Sequence, residues 1–313
     1  MRALLGAVPG LEIIEGAPLR DYTRFGIGGP ARLLADASSE PALVEALRVI
    51  HTSGGQHTVI GGGTNLIVSD DGFPGVVLRY ARQTIQIEGA RMRVAAGAVL
   101  QQLVDSAIAA GLRGLETMTG IPGWVGGAIY GNAGAYGHSI HERVESVRFF
   151  DGVSVREIGN AACQFRYRES VFKRQKHWII VSAVLRLDRA EPAELRATAE
   201  GILKIRNEKY PPSMRCAGSI FKNLLLVELP AAVQARIPER VVREGKVPSA
   251  YFLELAGAKG MVNGGVRVAT YHANLIYNQA GGTALEVRQL IAELKHRVRN
   301  QFGIELQEEV QYV

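Results

Sequence analysis

Two glycine-rich segments constrain this chain more than any other feature of its sequence. Residues 59–66 read VIGGGTNL, and residues 119–137 read TGIPGWVGGAIYGNAGAYG. Consecutive glycines let backbone N–H groups converge on an anion, because no Cβ blocks the approach. Three glycines followed by Thr-Asn between two apolar runs are more than a tight turn requires. We therefore interpret the first segment as a phosphate cradle.

The familiar nucleotide-binding motifs do not explain these glycines. Residues 26–31 match G-x-G-x-x-A, but the strand-like run 31–36 follows where a dinucleotide fingerprint requires a helix, so we regard the match as coincidence. The chain contains no G-x-x-x-x-G-K-[ST] motif. Two glycine-rich segments without either motif indicate a large cofactor between two subdomains. A flavin dinucleotide, with its pyrophosphate and flat ring, fits that description.

Charge and cysteine content narrow the class of partner. The formal net charge is +6, from 36 basic and 30 acidic residues, and the charges are scattered without a run of five basic residues. This favours an anionic metabolite over nucleic acid, which needs a clustered basic surface. The two cysteines, Cys163 and Cys216, form no C-x-x-C motif and are expected to be small buried packing residues. We predict no metal site and a reducing compartment.

The sequence carries no targeting segment that we can identify. The uncharged stretch 117–137 is long enough to span a bilayer, but its glycines and Pro122 make it a poor membrane helix. We interpret it as a buried glycine-rich loop. The expectation is a cytoplasmic protein with no membrane partner.

Periodicity and turn residues predict a mixed α and β organisation. Asp151-Gly152 between alternating runs predicts a hairpin. Helices are expected near 99–110 and 193–205, with a boundary at Tyr210-Pro211-Pro212. The capping box Thr283-x-x-Glu286 opens another helix, and a last strand is expected over 304–313.

Seven segments, taken in order, carry a resemblance to a known family. They are YTRFGIGGPA (22–31), VIGGGTNLIV (59–68), GIPGWVGGAIYGNAGAYG (120–137), CQFRYRESVFK (163–173), AGSIFKN (217–223), HANLIYN (272–278) and LQEEV (306–310). Together they resemble the UDP-N-acetylenolpyruvoylglucosamine reductase family. The short stretch between Arg168 and Lys209 leaves no room for a tyrosine-bearing lid loop, so the resemblance is to the shorter form of that family.

The resemblance implies an α+β fold. It consists of a PCMH/vanillyl-alcohol-oxidase-type FAD-binding domain in two subdomains, over 1–79 and 80–206, and an α+β substrate-binding domain over 207–299. A C-terminal strand, 300–313, is expected to return to the FAD region. We expect this chain to be a monomer with no nucleic-acid partner.

The resemblance also implies a reaction. NADPH, as co-substrate, reduces FAD and leaves, and UDP-N-acetylglucosamine enolpyruvate takes its place. Hydride then passes from flavin N5 to C3 of the enolpyruvyl group, and a serine protonates the enolate at C2. The product, UDP-N-acetylmuramate, belongs to peptidoglycan precursor synthesis.

Three catalytic residues follow from the resemblance. Ser219 becomes the proton donor, which a weakly acidic hydroxyl can be only when it is positioned against carbon. Arg168 offers a permanently charged fork to a carboxylate whose charge spreads into an enolate. Arg166 is the rejected candidate. Glu309 would hydrogen-bond or polarise the reacting centre.

The choice of Glu309 conflicts with simple strand alternation. On a continuous final strand, Ile304, Leu306 and Val310 would share one face with Glu308, so period-2 reasoning selects Glu308. The family pattern L-x-x-E-V selects Glu309. We follow the motif, since a local bulge could shift the parity.

The remaining site residues are also carried over from the matching segments. Lys209 and Asn223 are expected to contact the nucleotide-sugar, and His272 and Asn274 either order a loop or join the site. The predicted FAD-binding residues are Gly61, Gly62, Gly63, Thr64, Asn65, Leu66, Thr119, Gly120, Ile121, Pro122, Gly126, Gly127, Asn132, Ala133 and Gly134.

Two departures from the family pattern keep other functions open. Leu224 stands where proline usually follows the AGSIFKN segment, and Gly131 stands where a larger residue is common. A related PCMH-type FAD oxidase is one alternative, although an oxidase has no enolate to protonate. A non-catalytic protein that binds flavin or a nucleotide is the other.

Overall fold

The chain divides into two units, each assembled from separate stretches of sequence. The computed structural model describes all residues, 1–313. The first unit comprises Met1–Ala17, Ala31–Gly63 and Pro74–Pro211, and the second comprises Pro18–Pro30, Thr64–Phe73 and Pro212–Val313. The first unit therefore ends within the proline pair that follows Tyr210. The four-part division expected from the sequence stays a prediction.

Nine helices and 21 strands make up the two units. The helices are α1 (Arg2–Gly6), α2 (Glu40–Thr52), α3 (Leu100–Ala109), α4 (Val125–Tyr130), α5 (Val171–Arg174), α6 (Pro192–Lys209), α7 (Ala231–Gln234), α8 (Ser249–Leu255) and α9 (Ala284–Phe302). The strands are β1 (Leu11–Pro18), β2 (Pro30–Ala37), β3 (His57–Ile60), β4 (Leu66–Ile67), β5 (Phe73–Tyr80), β6 (Ile85–Glu88), β7 (Arg91–Ala95), β8 (Leu112–Arg113), β9 (Gly134–Ala135), β10 (His138–Ser139), β11 (Val144–Phe150), β12 (Val155–Gly159), β13 (Ile179–Arg186), β14 (Asp188–Arg189), β15 (Cys216–Ser219), β16 (Leu224–Leu225), β17 (Lys246–Val247), β18 (Val262–Asn263), β19 (Val266–Val268), β20 (Leu275–Asn278) and β21 (Gln311–Tyr312).

The first unit contains two sheets over one hydrophobic core. One sheet has the order β1-β2-β5-β3, and the other has the order β12-β11-β13-β7-β6. The hairpin predicted around Asp151-Gly152 is confirmed, since β11 and β12 pair antiparallel. Helix α2 begins where Ser39 Oγ accepts from Ala42 N at 3.2 Å, and its apolar stripe is buried.

The second unit packs α9 with an antiparallel sheet of order β15-β20-β19-β18. The predicted capping box is present, with Thr283 and Glu286 each bonding the other's backbone N–H. Asp70, 214 positions earlier, also accepts from Ala284 N at 2.8 Å and Leu285 N at 3.0 Å. A carboxylate there offsets the positive end of the helix dipole. No local pattern marks Asp70 for this role, because its partners are remote in sequence.

Two expectations about local structure are wrong. The strand predicted over 304–313 is reduced to β21, which pairs parallel with β4, and a single bridge between Phe221 and Glu308. The glycine-rich stretch 117–137 is not all loop, because α4 forms within it. There the buried Val125 and Ile129 anchor a short helix, so tertiary packing overrides the low helix propensity of glycine. No helix in the chain combines the length and apolar character needed to cross a membrane.

Two glycine substitutions should have opposite effects on stability. Gly201 is exposed inside α6, and an added Cβ would meet nothing within 4 Å. Gly201→Ala should therefore raise the free energy of unfolding by about 0.5–1 kcal/mol. In Gly97→Ala the methyl would overlap the carbonyl oxygens of Tyr80 and Arg82, so we expect a loss of about 1–3 kcal/mol. Urea unfolding of both variants measures this, and equal effects would contradict the packing argument.

Candidate active site

The two glycine-rich segments meet at Trp124 within the first unit. A Cβ on Gly62 would stand 3.1 Å from Trp124 Cδ1 and 3.3 Å from Gly123 Cα. Trp124 also contacts Arg79, whose guanidinium carbon lies 5.3 Å from the centroid of the Trp124 ring. Arg79 is held in turn by Asp36 through hydrogen bonds of 2.6 and 2.5 Å. The segments predicted to bind one cofactor are thus neighbours in space.

Glycines of the second segment serve two different purposes. Gly126 donates to Ala96 O at 2.8 Å, and a Cβ there would lie 2.9 Å from Ala96 Cβ, so packing explains this glycine. Gly127 is exposed, and a Cβ there would meet no atom within 4 Å. Packing in the protein does not require glycine at 127. A ligand lying over α4 would require glycine at this position.

Arg168 lies, in space, beside the C-terminal end of the second glycine-rich segment. A tight turn is closed by Arg166 N donating to Glu169 O at 3.0 Å and Glu169 N donating to Arg166 O at 3.1 Å. From this turn the Arg168 guanidinium donates to Gly134 O at 3.0 Å and to Asn132 O at 3.5 Å. Asn132, buried, also donates to Arg166 O at 2.9 Å. The first unit therefore brings Arg168 against residues predicted to bind FAD.

In the second unit, a buried amide holds the segment that follows Ser219. Ser219 ends β15, one residue after Gly218, whose φ of +75° favours glycine. Asn274 accepts from Phe221 N at 2.9 Å through its side-chain oxygen and donates to Phe221 O at 2.8 Å. It also accepts from Ile220 N at 3.1 Å through its own carbonyl. Asn274 thus orders the segment that follows Ser219, and whether Asn274 and His272 also join the site stays a prediction.

Glu309 lies beside that loop within the same unit. Its N–H donates to Ile220 O at 2.7 Å. Asn65 donates from its side chain to Glu309 O at 2.9 Å and accepts from Gln311 N at 2.9 Å through its backbone carbonyl. The second unit thus brings together Ser219, Glu309 and Asn65, three residues that are far apart in sequence.

Glu308 has a different environment. Its carboxylate pairs with Lys295 Nζ at 2.7 Å and accepts a hydrogen bond from the Tyr312 hydroxyl. Burial, followed by the Glu308 hydrogen bond, raises the pKa of Tyr312 above its ordinary value. Strand alternation selected Glu308 because it assumed a continuous strand, which the structure does not contain. The catalytic role of Glu309 stays a prediction, and the alternative residue, Glu308, is bonded to Lys295 and Tyr312.

The other predicted residues lie in the following places. Lys209 ends α6, with its ammonium 5.2 Å from the Tyr210 ring centroid, whereas Asn223 precedes β16 in the second unit. Leu224, the departure from the family pattern, begins β16 and pairs with Val247. Thr119 donates its hydroxyl to Glu116 O at 2.8 Å, which closes a turn before Gly120. The roles of these residues stay predictions.

Both cysteines are fully buried, as expected of packing residues. Burial raises the pKa of the Cys163 thiol to about 12. Such a thiol is almost entirely protonated at neutral pH, and the thiolate is the reactive form. Cys163 is therefore a packing residue and not a nucleophile.

Comparison with known proteins agrees with this geometry. The profile of an FAD binding domain matches residues 31–154, and the profile described as "UDP-N-acetylenolpyruvoylglucosamine reductase, C-terminal domain" matches residues 210–313. The fold and the site thus define an FAD-dependent oxidoreductase, and the predicted fold class is confirmed.

Individual relatives define the family. The reductase of that name from Solibacter usitatus is 60% identical over 309 residues, with 99% of each chain covered. The one from Bacillus licheniformis is 33% identical, covering 96% of this chain and 94% of that one. A crystal structure of the Thermus caldophilus enzyme superimposes with a TM-score of 0.74 at 28% identity, over 96% and 98% of the two chains. The chain belongs to the UDP-N-acetylenolpyruvoylglucosamine reductase family, which confirms the resemblance.

Removing the buried amide should destabilise the second unit. In Asn274→Ala, the N–H and carbonyl of Phe221 lose their partner inside the core, and each unsatisfied group costs about 1–3 kcal/mol. We expect a loss of at least about 2 kcal/mol in the free energy of unfolding. Asn300→Ala, on the exposed face of α9, is the control and should change it by less than about 0.5 kcal/mol. Equal stabilities of Asn274→Ala and the wild type in urea would show that the hydrogen bonds between Asn274 and Phe221 are dispensable.

Proposed function

We propose that this chain reduces UDP-N-acetylglucosamine enolpyruvate to UDP-N-acetylmuramate with NADPH, in peptidoglycan precursor synthesis. The observation that carries the proposal is the 2.7 Å hydrogen bond from Glu309 N to Ile220 O, which sets the Glu309 backbone beside the residue after Ser219. Family membership supports the choice of reaction. The net charge of +6 suits three anionic ligands, namely FAD, NADPH and the UDP-sugar.

The glycine-rich segments fit FAD. A Cβ on Gly127 would meet no protein atom within 4 Å, and the absence of a packing reason for glycine there supports a ligand over that position. We infer that the residues of 61–66 hold the pyrophosphate and that those of 119–134 cover the rest of the cofactor. Bound FAD would supply the hydride for C3 of the enolpyruvyl group, with NADPH as the source of that hydride.

Ser219 is the proposed donor of the proton to C2. A serine hydroxyl is a weak acid, and it transfers a proton to carbon only when it is held in place against a strongly basic enolate. The hydrogen bonds of Asn274 to Phe221 and the pairing of Ser219 with Leu275 supply that restraint from the β20 side of β15. The loop after Ser219 is therefore rigid where the proposed step needs precision.

Arg168 and Glu309 would act on the charge of the substrate. A guanidinium cannot lose its proton at neutral pH, so Arg168 remains a cation throughout the reaction and suits a carboxylate conjugated with the enolate. Its guanidinium donates to the carbonyls of Asn132 and Gly134, which hold it at the end of the second glycine-rich segment. Glu309 is proposed to polarise the reacting centre, and Lys209 and Asn223 to bind the nucleotide-sugar.

A substitution at Gly127 separates cofactor binding from packing. Because a Cβ there meets no protein atom, Gly127→Ala should leave the stability of the apoprotein equal or raise it by about 0.5–1 kcal/mol. The same methyl should lower FAD affinity at least about tenfold if the flavin covers α4. Flavin fluorescence titration measures the affinity, and Gly201→Ala serves as the control. Unchanged affinity would place the cofactor elsewhere.

The half-reactions test the role of Ser219. Anaerobic NADPH should bleach the flavin bands of the wild type, and UDP-N-acetylglucosamine enolpyruvate should restore them. In Ser219→Ala, NADPH-driven bleaching should stay within about twofold of wild type, while restoration by the substrate should slow by at least about 100-fold. Stopped-flow absorbance measures both steps.

Three outcomes contradict parts of this proposal. Equal impairment of both half-reactions in Ser219→Ala would exclude it as the proton donor. Restoration of wild-type flavin absorbance by oxygen as fast as by the substrate would favour an oxidase. Full FAD occupancy without any NADPH turnover would favour a non-catalytic binding protein.

A further inference from the structure

The turn that carries Arg168 is strained at the position of that residue. Arg168 has a φ of +57°, in the left-handed region that side chains with a Cβ rarely adopt. It is the third of the four residues of a turn closed by the two backbone hydrogen bonds between Arg166 and Glu169. Glycine is the residue usually found at such a position. An arginine there persists only where its surroundings hold the backbone in place.

Lys173 provides that restraint from the next element of the chain. Its ammonium donates to Arg168 O at 2.9 Å and pairs with Glu169 Oε1 at 3.3 Å. Only 15% of the Lys173 side chain is exposed, so these contacts are partly shielded from water. The Lys173 ammonium therefore holds the turn through the backbone carbonyl of Arg168, the residue whose guanidinium takes part in the proposed reaction.

Helix α5, which carries Lys173, is itself firmly anchored. Ser170 Oγ accepts from Lys173 N at 3.3 Å and donates to Tyr130 O at 2.7 Å, at the end of α4. Phe172 is fully buried and meets Phe149 edge-on at a centroid distance of 5.4 Å. The position of the ammonium is therefore set by the core of the first unit and not by solvent-exposed side chains.

We propose that Lys173 is a positioning residue for Arg168. By holding the Arg168 carbonyl, it keeps the strained turn closed and aims the guanidinium at the Asn132–Gly134 end of the second glycine-rich segment. This inference rests on the proposed role of Arg168 in the reaction with substrate. Lys173 touches neither substrate nor cofactor in this proposal, and it acts only through the turn.

The test compares single and double variants in the two half-reactions. Lys173→Met keeps the length and apolar stem of the side chain and removes the donor. We expect it to retain FAD and NADPH-driven bleaching within about twofold, while flavin reoxidation by UDP-N-acetylglucosamine enolpyruvate slows about 10- to 100-fold, as small misplacements of a catalytic group do. Lys173→Arg, which keeps the charge and a donor, should recover most of that rate. Lys176→Met, an exposed lysine on the same segment, is the matched control and should behave like wild type.

A double-mutant cycle separates positioning from a general structural role. In an Arg168→Ala background, Lys173→Met should slow reoxidation by less than about twofold further, because the group it positions is gone. An undiminished effect in that background, or normal reoxidation in Lys173→Met itself, would overturn the proposal. If Lys173→Met does not fold, Lys173→Gln, which lacks the charge but keeps a shorter donor, is measured in the same cycle. Failure of the proposed function would appear separately, as absence of turnover in the wild type.

Discussion

The double hydrogen bond between Asn274 and the backbone of Phe221 is the contact on which the second unit depends. A buried peptide group that leaves the sheet ladder must find other partners, and a primary amide can donate through its nitrogen and accept through its oxygen at the same time. By filling both roles, Asn274 lets the chain leave β15 immediately after Ser219 without stranding polar atoms in the core. The C-terminal segment then adds Glu309 N to Ile220 O. Thus one buried amide allows a loop to be both irregular and rigid.

In the first unit, the two glycine-rich segments are in contact with each other. Trp124 of the second segment lies against Gly62 of the first, and Arg79 lies over the Trp124 ring while its charge is balanced by Asp36. Gly126 is small because the backbone of Ala96 lies against it, whereas nothing in the protein lies against Gly127. Glycines that look alike in the sequence therefore divide into those that packing requires and those that leave room for a ligand.

Much of the local structure could be predicted from the sequence, because it depends on neighbours only a few residues apart. The hairpin at Asp151-Gly152 and the capping box of Thr283 and Glu286 are such cases, and both are confirmed. The strand expected over 304–313 failed for the opposite reason. Its alternating pattern is real, but no partner strand runs alongside most of it, and the segment instead bonds the Ser219 loop and Asn65. A strand needs a neighbour, which no alternation can guarantee.

For the site, the sequence alone determined which residues could do chemistry. The ordered motifs identified the family, the flavin and candidates such as Ser219, Arg168 and Glu309, because residue types and spacings are local properties. Tertiary structure alone decided which neighbours hold those candidates, as with Asn274 beside the Ser219 loop and Lys173 beneath the Arg168 turn. It also decided the environment of the Glu308 carboxylate, which pairs with Lys295 and accepts from the Tyr312 hydroxyl. The physical reason is that hydrogen bonds and burial depend on distance in space, and folding sets that distance independently of separation along the chain.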